Sequence, residues 1–94
     1  MYIRVWEITS PSKMAFDMTV TYLEHVWSAK GKDAGLISME FVKFSDNNGM
    51  LIINYPDEKT AKSAFKQNKA AIDEHNKQNK TVIKEGDRLF RVDY

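Results

Sequence analysis

The stretch LISMEFVKFSDNNGMLIINY, residues 36–55, decides the fold. Its first nine residues alternate, with Ile37, Met39 and Phe41 to one side and Ser38, Glu40 and Val42 to the other, the period of two that a strand imposes. Ser45-Asp46-Asn47-Asn48-Gly49 then supplies residues tolerant of positive φ, which a tight hairpin requires. GMLIINY, residues 49–55, returns as an antiparallel strand. That strand is apolar on both sides, Met50 and Ile52 pointing one way and Leu51, Ile53 and Tyr55 the other. A strand of that kind sits in a sheet whose two faces are both covered.

Working outward, YIRVWEIT at residues 2–9 is a further strand, with Ile3 and Val5 opposite Arg4 and Trp6. Ser10-Pro11 starts a helix whose apolar stripe is Phe16, Val20, Leu23, Val26 and Trp27, bracketed at its end by Gly31 and Gly35. Beyond the hairpin, Pro56-Asp57 opens a second helix. Its inward stripe is Ala61, Ala64, Phe65, Asn68, Ala71, Ile72 and His75, and it frays near Asn79-Lys80. RLFRVDY, residues 88–94, alternates again and is expected to be the fourth strand. The order β-α-β-β-α-β predicts an α+β ferredoxin-like sandwich, an antiparallel sheet with two helices on one face. Two helices cover only one face, so the other apolar row is expected to meet the sheet of a second copy.

Ninety-four residues hold one core, so residues 1–94 form a single domain. With no cysteine for a disulfide and no cluster of metal ligands, oligomerisation is the remaining source of extra burial. A net charge of +1 gives no broad positive field for phosphate backbones or anionic lipid, so neither nucleic acid nor membrane is an expected partner. No basic-then-apolar leader and no run of ~18 apolar residues occurs, which makes the cytoplasm the expected compartment. No Gly-rich phosphate loop, nucleophile elbow, HExxH, CxxC or close carboxylate pair is present either. Hydrolase, kinase and structural-zinc readings therefore have no residues to carry them.

The opening strand Tyr2–Ile8, the hairpin at 36–55 and the run Tyr55-Pro56-Asp57-Glu58-Lys59-Thr60-Ala61 together resemble the dimeric α/β-barrel superfamily, which includes antibiotic-biosynthesis-type monooxygenases. The resemblance covers nearly the whole chain and lies in element order and pattern. It implies subunits packed sheet against sheet, each with a ligand cleft between sheet and helices. It also implies oxidation of a small aromatic metabolite by dioxygen without a protein-bound cofactor. Monooxygenase members carry an asparagine early in the first strand; here Trp6 is present in that strand and no asparagine is.

Two candidate catalytic residues follow: Trp6, to orient a ring, and His75, whose pKa near neutrality suits a base. Arg4, Asn54, Arg91, Glu40 and Asn68 are the candidate substrate-binding residues, with Arg4, Asn54 or Arg91 to stabilise a developing oxyanion. Against these stand plainer readings, His75 as a helix-end residue satisfied by backbone or water and the polar strand rows as an inter-subunit ion-pair network. A non-catalytic homodimeric binding module is thus the alternative to the enzyme. A third class, an RNA-recognition-motif-like binder, shares the element order but has Met50 and Ile52 where stacking aromatics would stand.

Overall fold

The structure is a computed structural model and describes all residues, 1–94. Strand β1 (Tyr2–Thr9) leads into α1 (Lys13–Tyr22), a π-helical turn (Leu23–Trp27) and the short α2 (Ser28–Asp33). Strands β2 (Ser38–Lys43) and β3 (Asn48–Tyr55) form the hairpin, α3 (Glu58–Gln67) and α4 (Lys69–Gln78) follow, and β4 (Lys80–Asp87) closes the sheet. The order β2-β3-β1-β4, antiparallel throughout, is that of the ferredoxin-like sandwich expected from the element pattern.

The register decides which side chains share a layer. Arg4 lies opposite Ile53 and Glu85, and Trp6 opposite Leu51 and Ile83. Tyr2, Arg4, Trp6 and Ile8 therefore face the helices with Leu51, Ile53 and Tyr55, and all seven are buried. Ile3, Val5, Met50 and Ile52 occupy the other face, which no element of the chain covers; Val42 and Val82 stand exposed beside them. The helices seal their side with Phe16, Leu23, Ala61, Ala64 and Ile72, Phe16 meeting Phe41 edge-on at 5.8 Å. Burying a large apolar side chain contributes about 1.5–3 kcal/mol.

Several expectations need correction. The fourth strand is Lys80–Asp87, paired along its whole length with β1, and residues 88–94 belong to no strand. Lys80–Asp87 reads as polar because it is a sheet edge carrying four charged residues, whereas RLFRVDY has the better alternation but no slot beside β1, which already has two neighbours. The hairpin also turns without positive φ: its loop spans Phe44–Asn47, closed by Phe44 N–H to Asn48 O at 2.9 Å, and four residues need no left-handed conformation. Gly49 is required for space instead, since a Cβ there would lie 2.6 Å from the Val42 carbonyl oxygen. The first helix is capped by Ser12, which accepts from Ala15 N–H, while Ser10 is buried and hydrogen-bonds to Asn79. The second helix breaks at Asn68, whose side chain donates to Ala64 O at 2.9 Å.

Candidate functional site

Trp6 is the centre of the helix-covered layer. It is 2% exposed, stacks on Phe65 with ring centroids 6.3 Å apart, and meets Trp27 and His75 edge-on at 6.0 and 6.3 Å. Each partner comes from a different element: Phe65 from α3, His75 from α4 and Trp27 from the π-turn. Trp27 is the last residue of the π-turn. Ser28 N–H bonds back to Leu23 O, five residues away, so one extra residue is held in the turn while Leu23 stays buried. Such turns recur at functional sites.

Arg4 lies one pair of residues along β1 from Trp6 and is 3% exposed. A buried guanidinium must be paired. Its Nε donates to Glu85 at 2.6 Å, one terminal nitrogen donates to the Ala61 carbonyl at 3.2 Å and the Tyr55 hydroxyl at 3.4 Å, and its plane lies 5.1 Å from the centre of the Phe65 ring. Burial raises the Glu85 carboxyl, but hydrogen bonds from Arg4 and Tyr2 with the Arg4 charge outweigh it and hold Glu85 below the usual carboxylate range. Burial pushes the Tyr55 hydroxyl up against the opposing pull of Arg4, so it stays protonated.

The unpaired atoms show what this layer lacks. Trp6 Nε1, Trp27 Nε1 and His75 Nε2 are buried with no hydrogen-bond partner, three of only four such side-chain atoms in the chain, and all three belong to rings of this one cluster. A buried polar atom left in that state costs about 1–3 kcal/mol. Burial lowers the His75 pKa, so its imidazole is neutral at pH 7 and can accept a proton. The space enclosed by Arg4, Trp6, Trp27, Phe65, Asn68 and Ile72 is about 20 Å³, room for one water. Two wider clefts flank α1: one of about 620 Å³ over Phe16, Leu23, Met39 and Phe41, and one of about 420 Å³ against α4, with Met18, Tyr22 and His75 in its walls.

Of the residues singled out in the sequence, Trp6, His75, Arg4 and Asn68 are brought together here. Asn54, Glu40 and Arg91 are not. Asn54 pairs across β1 with Ile3 and so faces the opposite side, hydrogen-bonded to Ser38 and Arg88. Glu40 is exposed on that side too, and Arg91 lies in the tail, paired with Asp93. Trp27, Phe65, Tyr55 and Glu85 complete the site without having been named as such. Trp27 and Phe65 were legible only as core, and Glu85 lay outside the expected strand.

No protein-family model matches the chain, and no curated protein does. Solved structures do match. A dimeric ferredoxin-like protein from an uncultured marine organism superposes with a TM-score of 0.81 at 10% identity over 97% of both chains. HapK from Hahella chejuensis gives 0.81 at 11% identity over all of this chain and 98% of its own. A candidate antibiotic biosynthesis monooxygenase from Deinococcus radiodurans gives the same four values. This chain has the ferredoxin-like fold. At such identities the likeness is one of fold, and activity has to be argued from the site. Within this fold the Trp6 cluster occupies the layer between sheet and helices, no three acidic or histidine side chains gather as a metal site, and no helix is long and apolar enough to cross a membrane.

Proposed function

We propose that this protein is a homodimer that takes a small, partly aromatic molecule bearing oxygen atoms into the layer around Trp6. The observation that carries the reading is the convergence on one aromatic cluster of three buried ring nitrogens without partners. Two indole N–H donors and a neutral imidazole suit a phenol or quinol, whose ring stacks while its oxygens accept from the indoles and Arg4. Entry runs past Trp27, the half-buried member of the cluster, carried on the least regular turn of the chain. The dimer is supported by the uncovered apolar face at Ile3, Val5, Met50 and Ile52.

In its catalytic form the reading has His75 take the phenolic proton, and the electrons of the resulting anion pass to dioxygen with no protein-bound cofactor. Trp6 orients the ring and Arg4 stabilises the negative charge on oxygen. The alternative is a dimer that binds the same class of molecule without turnover, favoured by the first strand having no asparagine.

The chain's two tryptophans are both in the cluster, so their fluorescence reports the site alone. Titration with phenols and quinols is expected to give saturable quenching at one molecule per chain, and absence of quenching by any of them removes the proposal. His75→Gln separates the two forms: oxygen consumption lost with quenching retained supports catalysis, and unchanged consumption, or none in the parent, leaves binding only.

A further inference from the structure

The space beside Trp6 has two cations in its walls and no acid. Arg4 and Lys30 line it together with Trp27 and Asn68, and no aspartate or glutamate does. The two cations differ in state. Arg4 is buried, and Glu85 matches its charge at 2.6 Å on the Nε side. One of its terminal nitrogens donates to Ala61 O and the Tyr55 hydroxyl, and the other makes no hydrogen bond within the chain. Lys30 is exposed and belongs to none of the chain's ion pairs. The uncompensated charge at this space is therefore positive, and it stands at the rim.

Lys30 follows Trp27 by three residues in the helical run through the π-turn and α2, and residues at that spacing share a side. Trp27 Nε1 is one of the three ring nitrogens without a partner. A free ammonium and a free indole N–H on one side of a helix suit a carboxylate, which accepts one donor on each oxygen. Lys32 provides the contrast. It lies in the same last turn of α2 and complements the carbonyl end of that helix as Lys30 does, yet it is absent from the walls of the space. A lysine serving the helix end alone needs no place beside Trp27.

We propose that the ligand is a hydroxyaryl carboxylate, its phenolic oxygen held inside by Arg4 and Trp6 and its carboxylate held at the rim by Lys30 and Trp27. The inference rests on the reading of the Trp6 layer as a phenol site, and it adds the charge of the guest and the direction in which the guest lies. A carboxylate at the rim stays partly hydrated, so it avoids the cost of burying an ion. A neutral phenol makes the inner contacts only.

The test titrates tryptophan fluorescence with para-hydroxyphenylpropionate and with its neutral amide, in the parent chain, Lys30→Gln and Lys32→Gln, with circular dichroism confirming that each variant folds. The acid is expected to bind roughly 10-fold more tightly than the amide in the parent and in Lys32→Gln, and equally with it in Lys30→Gln. Added sodium chloride should weaken the acid and leave the amide unchanged. Equal binding of acid and amide by the parent, or quenching by neutral phenols but not by the acid, overturns the carboxylate while leaving the phenol site. A preference for the acid that survives in Lys30→Gln overturns the assignment to Lys30. No quenching by any phenol, charged or neutral, removes the phenol site and this inference with it.

Discussion

At the scale of single residues, two titratable groups should govern stability in different pH ranges. His75 has a folded pKa below its unfolded value of about 6.5, because burial disfavours the imidazolium. The unfolded chain therefore binds the extra proton first, and stability falls as pH drops from about 6.5 toward the folded pKa. Urea midpoints at pH 7.5 and 5.5 should show this loss in the parent and less of it in His75→Gln. Glu85 is also depressed, so its contribution is complete above the unfolded carboxylate range near 4.3 and is lost as pH falls through the lower folded value. Glu85→Ala leaves Arg4 buried with only neutral partners. Because the carboxylate is one-third exposed, we expect a loss of about 1–3 kcal/mol in urea unfolding, not the larger cost of breaking a fully buried pair.

At the scale of elements, the hairpin and the π-turn make separate demands. Gly49→Ala would put a methyl 2.5 Å from a Phe41 ring carbon and 2.6 Å from the Val42 carbonyl oxygen. The carbonyl belongs to the paired strand and cannot yield easily, so the expected cost is about 1–3 kcal/mol, read as a lower midpoint in chemical unfolding. Deleting the exposed His25 returns the π-turn to ordinary helical spacing and draws Trp27 about 1.5 Å along the axis toward Leu23, away from its place beside Trp6. The expected outcome is retained helical circular dichroism with a red-shifted tryptophan emission; an unchanged spectrum would show that Trp27 does not depend on the turn. The hairpin itself was readable from alternation at 36–55. The π-turn was not, because Leu23, Val26 and Trp27 fit an unbroken helix as well as a bulged one.

At the scale of the whole molecule, a domain with its sheet covered on one side only is marginal. The uncovered face carries Ile3, Val5, Met50 and Ile52 in one patch. Light scattering should therefore give twice the chain mass of 10.9 kDa at micromolar concentration. Ile52→Asp should return that mass to one chain with circular dichroism unchanged, since the substitution charges the patch without touching the helix-covered core. A mass insensitive to Ile52→Asp would move the interface elsewhere.

The residues alone determined the element order, the antiparallel hairpin, the helix-facing stripes and the two-sided character of β3, because each is a local period that the backbone imposes on its own side chains. They also marked Trp6 and His75, and placed Arg4 on the same side of β1 as Trp6. Which polar groups share a layer was decided only by tertiary register: a strand's period names two faces but not which one meets the helices, and so Asn54 and Glu40 fell away from the site while Glu85 joined it. The fourth strand was likewise a matter of tertiary structure. Lys80–Asp87 is held beside β1 by ladder hydrogen bonds that its polar sequence does not advertise, and Leu89–Tyr94, the better strand by composition, finds the place beside β1 already taken.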